Sequence, residues 1–476
     1  MNKTMDFFKE ICSIPHGSYN IDAISDYLVE FAQKRNLKYI RDDVKNVIIF
    51  KDASEGYENE ETIILQGHMD MVAVKKEDSD IDMQKDPLRL KEENGFLYAE
   101  GTSLGGDDGI AVAYALDFLD DKTLKHPALE CIFTVNEEVG MDGANALDMS
   151  PIKGTKMINI DSEEEGVITV SCAGGVVMSS LLRAKGSVPL YGNLYTVKIR
   201  GLKGGHSGTS IHEGRANACI LMGRLLKELM ALGKVNILNI SGGEKDNAIP
   251  NFAECCFATE IEENVFEQSI NDFDSKICKE YEGIEDGIEI SVTPMVYDRE
   301  DYMLLGDESA TVADILTSVP DGVVAMCQDI NLVETSLNLG VMKLDDNGLR
   351  LDFCLRSSVA SKKEILKEEL GKILAERGCE LALSGDYPGW EFRENSTLRD
   401  DFTQCFKQIY GKEAIVEGVH AGLECGIILS KKNDIDAVSV GPNILNIHTV
   451  NEKLDLLSVE RTRELLVKVI AKRHKC

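Results

Sequence analysis

The sequence has little positive charge for its length. Its 476 residues include 51 lysines and arginines against 82 aspartates and glutamates, which gives a formal net charge of −31. A field of that sign repels phosphate backbones and anionic lipid head groups. We therefore expect neither a nucleic acid nor a membrane surface as a partner.

Long apolar runs and ordered cysteine patterns are also missing. No stretch approaches the roughly 18 consecutive apolar residues of a membrane span, and the first ten residues carry mixed charge without the apolar core of a secretion signal. Thirteen cysteines lie at irregular spacing with no Cys-x-x-Cys pair. This pattern excludes a zinc ribbon and is typical of reduced thiols, so we expect a cytoplasmic protein.

Short apolar runs alternate with helical stretches in the first part of the chain. Residues 62–66, 131–135 and 157–160 are too short for helices and contain β-branched residues, so they are predicted to be buried strands. An apolar helical stretch at 109–119 lies between the first two. This alternation predicts an α/β fold.

The middle of the chain has a different pattern, which predicts an inserted α+β domain. Strand-like runs and helical stretches occur there at 194–199, 218–232, 287–292 and 362–377. A further buried strand at 437–440 and a helix after Ser458 return to the first pattern. We predict a catalytic domain built from residues 1–188 and 387–476. Residues 189–386 would form the inserted domain.

Charged residues with metal-ligand chemistry follow the predicted strands. His68 and Asp70 are two residues apart, so in extended chain they point the same way, and Asp70 could fix the tautomer of a metal-bound His68. Asp107 and Asp108 stand in a Gly-Gly-Asp-Asp-Gly turn before the helical stretch. Taken alone, this pair is equally well explained by helix capping or by metal ligation.

Two adjacent acids, Glu137 and Glu138, follow the second predicted strand. They face different directions there, so one could bind a metal while the other accepts a proton from metal-bound water; a solvated turn is the alternative for this motif alone. Asp161 closes the third strand, and His448 follows the last. Ligands converge at the carboxyl ends of strands in open α/β sheets. Two histidines and three carboxylates suit two zinc-like ions that share one carboxylate.

These motifs, in this order and spacing, resemble the M20 metallopeptidases, and within them the aminoacyl-histidine dipeptidases, also called cytosolic non-specific dipeptidases. The resemblance extends over nearly the whole chain. It is carried by residues 14–15, 65–70, 101–109, 134–140 and 201–208 and by the segment around His448. It implies an α/β, two-domain protein with a phosphorylase/hydrolase-like mixed-sheet catalytic domain and an inserted α+β lid and dimerisation domain at residues 189–386.

The resemblance also implies a ligand set for two Zn2+ ions per chain, with Mn2+ or Co2+ as possible substitutes. His68, Asp107 and Asp161 would hold one ion. Glu138 and His448 would hold the other, together with the bridging Asp107. In the family, the peptide bond after this aspartate is usually cis.

Further roles follow from the same resemblance. Glu137 would be the general base, and Asp70 would orient His68. His206, in a Gly-Gly-His-Ser-Gly segment that would otherwise be interpreted as a flexible loop, corresponds to the histidine that steadies the oxyanion. Asn247 and Arg356 sit where the family has substrate-binding residues, although alone they could be a turn asparagine and a surface arginine. The arginine fork suits a substrate carboxylate.

The segment with His420 and Glu424 is similar to this subfamily's. His420 is interpreted as a wall of the substrate pocket, and Glu424 as a residue that could face the substrate's ammonium group.

The function implied is hydrolysis of unblocked dipeptides, either of the Xaa-His type or of broad specificity, by metal-activated water with a glutamate base. An N-acyl amino acid deacylase or a tripeptidase with the same two-metal chemistry is the alternative. An inactive binding or scaffold protein is a remote alternative, because binding alone would not require the general base Glu137. We expect a homodimer, since two-fold pairs are the commonest assembly.

Overall fold

A computed structural model of the chain describes residues 3–184, 192–295 and 308–473. The chain divides into two structural units. Unit 1 comprises Met1–Ser171, Phe392–Gly418 and Leu423–Cys476. Unit 2 comprises Cys172–Glu391 and Val419–Gly422.

The elements are numbered along the whole chain. The first segment contains α1 (Lys3–Cys12), α2 (Asp22–Lys34), β1 (Lys38–Arg41), β2 (Val47–Lys51), β3 (Ile63–His68), β4 (Leu90–Glu93), β5 (Phe96–Ala99), α3 (Gly106–Asp120), β6 (Leu129–Thr134), α4 (Asp142–Ala146), β7 (Lys156–Asn159) and β8 (Val167–Cys172). The middle of the chain contains β9 (Gly174–Leu182), β10 (Asn193–Arg200), β11 (Gly205–His206), α5 (Ala218–Leu232), β12 (Val235–Gly242), β13 (Ala248–Ile249), β14 (Ala253–Thr259), α6 (Glu263–Glu280), β15 (Glu289–Pro294), α7 (Glu308–Ser318), β16 (Gly322–Cys327), β17 (Leu332–Asp345), β18 (Gly348–Ser357), α8 (Ala360–Glu376) and β19 (Glu380–Tyr387). The last part contains α9 (Thr397–Tyr410), β20 (Ile415–Val419), α10 (Glu424–Lys431), β21 (Asp436–Ser439), β22 (Ile444–Leu445), β23 (Lys453–Asp455) and α11 (Leu456–Ile470). Two short 3-10 helices lie at Glu137–Val139 and Ile211–Glu213.

The main sheet of unit 1 is mixed, in the order β1-β2-β6-β3-β7-β21-β8-β20. Its central strands β6, β3, β7 and β21 pair in parallel, whereas β1 and β2 are antiparallel. β3, β6 and β7 are buried along their whole length, as their continuous apolar runs predict. Helix α3 is apolar on nearly all sides and packs between α1 and β3 in the core.

Unit 2 is built on an antiparallel sheet in the order β15-β10-β14-β12-β17-β18-β9-β19, with β16 beside β17. Helices α5 to α8 supply apolar residues to its core. The short strands β11 and β13 form a separate pair. The α/β class, the mixed sheet and the α+β character of the inserted part are therefore confirmed.

The limits of the two units differ from the predicted boundaries at 188/189 and 386/387. Residues 172–182 belong to unit 2 because β9 pairs with β18 and β19 in its sheet. The short segment Val419–Gly422 also belongs to unit 2, because Ala173 N–H donates to the carbonyl oxygens of Val419 and Ala421. Among the described residues, no helix is long and apolar enough to cross a membrane.

Candidate active site

Three parallel strands of unit 1 bring the predicted ligands to one edge of the sheet. His68 is the last residue of β3 and pairs with Thr134, the last residue of β6. Glu137 and Glu138 follow β6 in a 3-10 turn, and Asp161 follows β7. Since the carboxyl ends of parallel strands meet at one edge, residues distant in sequence lie together there.

Asp107 lies at the centre of this group, with one carboxylate oxygen towards each histidine. Its Oδ1 is 3.1 Å from His68 Nε2, and its Oδ2 is 3.0 Å from His448 Nε2. Asp161 Oδ1 lies 3.6 Å from the same nitrogen of His68. Glu138 Oε2 lies 3.1 Å from the same nitrogen of His448. Two groups of candidate ligands therefore meet at the carboxylate of Asp107.

The donor atoms fit divalent cations. Three sets of side chains have possible ligand atoms within 4.8 Å of one another: His68–Asp107–Asp161, His68–Glu137–Glu138 and Asp107–Glu138–His448. Imidazole nitrogens and carboxylate oxygens are typical zinc ligands. Within the described residues, Glu138 Oε1 and Asp108 Oδ1 are buried without a hydrogen-bond partner. A concentration of buried acid with orphaned oxygens fits a site for cations.

The pKa values of several side chains in the group around Asp107 are raised. Hydrogen bonds to Asp107 and Glu138 raise the pKa of His448 to about 10. Desolvation raises the pKa of Asp161 to about 7 and holds that of Glu137 well above its usual range. The group thus retains protons that a divalent cation would displace on binding.

Glu452 positions the loop that carries Asp107. Its carboxylate is buried and accepts hydrogen bonds from four consecutive backbone N–H groups: Leu104 (2.8 Å) and Gly105 (3.0 Å) on Oε2, and Gly106 (2.7 Å) and Asp107 (3.4 Å) on Oε1. The next peptide bond, Asp107–Asp108, is cis, as the family resemblance implies. Glu452 follows His448 by four residues, so its hydrogen bonds connect the loops of two candidate ligands, Asp107 and His448. No motif in the sequence predicts this role for Glu452.

Asp70 lies beside His68, as predicted, and also contacts Glu137. The backbone carbonyl oxygen of Asp70 is 3.0 Å from His68 Nδ1, and its carboxylate Oδ1 is 3.5 Å away. The carboxylate accepts hydrogen bonds from Ser18 Oγ (2.8 Å) and from the backbone N–H of Glu137 (3.1 Å). Asp70 therefore links one predicted ligand to the predicted base. The contact with Ser18, 52 residues away, had no signal in the sequence.

Glu424 lies in unit 1, in a buried polar layer next to these strands. It is fully buried, and its Oε2 accepts hydrogen bonds from Gln66 Nε2 and Thr134 Oγ1, both at 2.6 Å. Desolvation raises its pKa to about 7. Its Oε2 therefore supports the ends of β3 and β6, while its buried Oε1 has no hydrogen-bond partner within the described residues.

His206 lies in unit 2 in a fixed orientation. The backbone N–H groups of Gly208 and Thr209 donate to its Nδ1 at 3.2 Å each, so the neutral ring carries its proton on Nε2. Desolvation and the charge of Arg356 lower its pKa. A Cβ on residue 208 would lie 2.4 Å from the carbonyl oxygen of His420, so only glycine fits there. Strands β11 and β13 pair, and Ser207 N–H donates to the Asn247 carbonyl oxygen, which places Asn247 next to this loop.

Arg356 is a buried cation, and no carboxylate of the described residues lies within ion-pair distance of it, although the charge of Asp246 is near enough to act on it. Its Nη1 donates to Tyr387 Oη at 2.9 Å, and its buried Nε has no hydrogen-bond partner within the described residues. Among the described residues, no aspartate or glutamate forms an ion pair with the Arg356 guanidinium. His420 is buried, shares a 2.7 Å hydrogen bond with Ser336 Oγ, and has its pKa lowered to about 3 by desolvation and by the charge of Arg356. The structure thus places Arg356 inside unit 2 rather than on its surface.

Known proteins are similar to this chain over nearly its whole length. The chain is 33% identical over 469 residues, 98% of its length and 96% of the relative's, to the cytosol non-specific dipeptidase of Escherichia coli (strain K12). The crystal structure of aminoacylhistidine dipeptidase from Vibrio alginolyticus superposes with a TM-score of 0.94 at 33% identity, covering 100% of this chain and 97% of that one. Aminopeptidase PepT from Bacillus cereus, at 16% identity, shares the fold with a TM-score of 0.56 over 98% of this chain and 97% of that one.

The sequence pattern of peptidase family M20/M25/M40 matches residues 64–472. This range contains every residue in the group around Asp107 and the loops of His206 and Arg356. The resemblance inferred from the motifs is therefore confirmed. The chain belongs to peptidase family M20/M25/M40.

Proposed function

We propose that this protein is a metal-dependent dipeptidase that hydrolyses unblocked dipeptides with two divalent cations, zinc in the first instance. The observation that carries the proposal is the position of Asp107, whose two oxygens each face one histidine. His68 and Asp161 would hold one cation with Asp107. Glu138 and His448 would hold the other. Mn2+ or Co2+ could occupy the same donors, since carboxylate-rich sites accept several ions.

When bound, two such cations would polarise a carbonyl group and lower the pKa of a bound water molecule. Glu137 is proposed to take the proton of the attacking water and to deliver it to the leaving amine. Desolvation already raises the pKa of Glu137, which suits a group that must hold a proton and release it. The hydrogen bond from its backbone N–H to Asp70 fixes the turn from which its side chain projects.

His206 is proposed to stabilise the oxyanion that develops on the scissile carbonyl oxygen. Two backbone N–H groups occupy its Nδ1, so the ring presents an Nε2–H donor. Its lowered pKa keeps the ring neutral at neutral pH. A donor fixed in advance costs no reorganisation during the reaction.

Arg356 is proposed to bind the C-terminal carboxylate of the substrate. Burying a guanidinium without an anion is costly, and a carboxylate ligand would supply the missing partner. Asn247, next to the His206 loop, is proposed to contribute a polar contact to the substrate. His420 would form part of the pocket wall. We propose that unit 2 acts as a lid and that the chain forms a homodimer.

The similar proteins support a proposal for the substrate class and the location. Their names describe a cytosol non-specific dipeptidase and an aminoacylhistidine dipeptidase, each about one third identical to this chain over nearly its whole length. We propose unblocked dipeptides as substrates and the cytoplasm as the location. The cysteines of the described residues are free thiols, as expected in a reducing compartment.

The test is a matched substrate panel after chelation, with zinc or manganese added back. The panel contains free dipeptides, some ending in histidine, their N-acetylated forms, and tripeptides. The proposal predicts metal-restored cleavage of the free dipeptides alone. Cleavage restricted to acetylated forms or to tripeptides would replace it with a deacylase or a tripeptidase. Absence of cleavage with either metal would contradict the proposal altogether.

A further inference from the structure

Three neighbouring strands of unit 2 place Arg356, Gly175 and Tyr387 in one row. Arg356 of β18 pairs with Gly175 of β9, and Gly175 pairs with Tyr387 of β19. Directly paired residues of antiparallel strands point to the same face of a sheet. Arg356 and Tyr387 therefore lie on one face with Gly175 between them.

The absence of a side chain at residue 175 lets the outer two side chains meet. A Cβ at that position would lie 2.6 Å from Tyr387 Oη and 2.7 Å from its Cζ. The tyrosine ring thus occupies the space above the glycine, and its hydroxyl oxygen reaches Arg356 Nη1 at 2.9 Å. Lys363 anchors the tyrosine backbone, since its Nζ donates to the Tyr387 carbonyl oxygen at 2.7 Å.

The hydroxyl group of Tyr387 keeps one unused donor. Its oxygen accepts the hydrogen bond from Arg356, so its own hydrogen points elsewhere. Within the described residues, no acceptor takes this hydrogen. Desolvation raises the pKa of the phenol, so the hydrogen remains in place at neutral pH. The guanidinium group of Arg356 and the hydroxyl group of Tyr387 therefore lie together, and within the described residues neither Nε of Arg356 nor the O–H hydrogen of Tyr387 has an acceptor.

We infer that Tyr387 is a specificity-determining residue that donates its O–H to the substrate carboxylate bound by Arg356, and that Gly175 is required for this pairing. The inference rests on the proposed function and extends it by naming a second donor. Its consequence is selectivity for a free carboxylate over a neutral C-terminal amide, because hydrogen bonds to charged groups are about twice as strong as neutral ones.

The variant Tyr387→Phe removes the hydroxyl group and keeps the ring. A hydrogen bond to a charged group contributes about 1.5–3 kcal/mol, so KM for a free dipeptide should rise roughly tenfold or more. We expect kcat to stay near that of the unaltered protein, because the carboxylate is not the reacting group. KM for the corresponding dipeptide amide should change much less, so the preference for the free carboxylate shrinks.

Two further variants separate this role from a loss of stability. Tyr410→Phe is the matched control, since Tyr410 Oη donates to the carboxylate of Glu165 at 2.7 Å in unit 1. It should lower stability without changing KM. Gly175→Ala keeps the phenol but displaces it from Arg356, and should reproduce the KM increase of Tyr387→Phe.

An unchanged KM for the free dipeptide in Tyr387→Phe, or an equal increase for the free dipeptide and its amide, overturns the inference while the proposed function stands. Absence of dipeptide hydrolysis by the unaltered protein overturns both.

Discussion

The backbone of Asp70, rather than its carboxylate, makes the closest contact with His68. The carbonyl oxygen of Asp70 is 3.0 Å from His68 Nδ1, and its Oδ1 is 3.5 Å away. A carbonyl acceptor at Nδ1 fixes the tautomer that leaves Nε2 for a metal. The carboxylate instead holds Ser18 and the backbone N–H of Glu137. The two parts of one residue thus serve the predicted ligand and the predicted base separately.

This division predicts the effect of Asp70→Ala. The variant keeps the carbonyl contact with His68 but releases the turn of Glu137. We expect kcat to fall by about 10–100-fold, the usual effect of losing such a supporting contact, while the metal content stays near that of the unaltered protein. Steady-state kinetics and elemental analysis of the same preparations measure both quantities. Loss of metal in proportion to activity would show that the side chain serves the ligand instead.

Glu452→Gln tests the link between the loops of Asp107 and His448. The carboxylate of Glu452 accepts hydrogen bonds from the backbone N–H groups of residues 104–107. In the variant, an amide NH2 group replaces one of its oxygens, so a donor would face these donors. We expect metal affinity to fall by about 10–100-fold. Calorimetric titration of the metal-free protein measures this affinity.

Glu130→Gln is the matched control for that variant. Glu130 is also a buried carboxylate that accepts backbone N–H groups, those of Lys153 and Gly154 at 2.9–3.1 Å. Replacing this carboxylate should lower the free energy of unfolding without changing the affinity for metal. Equal metal affinity in Glu452→Gln and Glu130→Gln would contradict the role given to Glu452.

Glu424→Gln separates a buried support from a substrate ligand. A glutamine can keep one oxygen facing Gln66 and Thr134, so we expect KM for dipeptides to remain unchanged. Glu424→Leu removes the acceptor of both short hydrogen bonds and leaves only the longer contacts, from Gln66 Nε2 to Thr134 Oγ1 (3.3 Å) and from Thr134 Oγ1 to the Gly67 carbonyl oxygen (3.4 Å). This loss should destabilise the protein by about 1–3 kcal/mol. If Glu424 instead contacted the substrate's ammonium group, Glu424→Gln alone would raise KM strongly.

Asp321 in unit 2 predicts a pH dependence of stability. Desolvation raises its pKa from 3.8 to about 7, although Asn217 and the Leu339 N–H donate to it. Between those values the folded chain holds a proton that the unfolded chain has released, so stability falls as pH rises through that window. Asp321→Asn removes this loss. Urea unfolding should therefore show that the free energy of unfolding of the variant, relative to that of the unaltered protein, increases from about pH 4 to about pH 7 and stays constant at higher pH. A constant difference across that window would contradict the assignment.

The sequence predicted the residues around Asp107 because each follows a short apolar run. The carboxyl ends of parallel strands share an edge, so His68, Glu138 and Asp161 could be brought together without a structure. The strands themselves were recognisable because β3, β6 and β7 are buried on both faces and contain continuous apolar residues.

Other features depend on pairing that no local pattern records. Tyr387 reaches Arg356 only through the register of three strands and an irregularity in β19 between Ser384 and Tyr387. The unit limit near Cys172 likewise depends on the partners of β9. For Glu452, the only local signal was its spacing of four residues from His448, which does not reveal the distant loop that it binds.

The central claim is tested most directly by titrating the chelated protein with zinc while measuring hydrolysis of one free dipeptide. The claim predicts no activity without metal and a rate that reaches its plateau at about two equivalents per chain, one for each ligand group that shares Asp107. Full activity in the metal-free protein, or a rate that never responds to zinc or manganese, would contradict it.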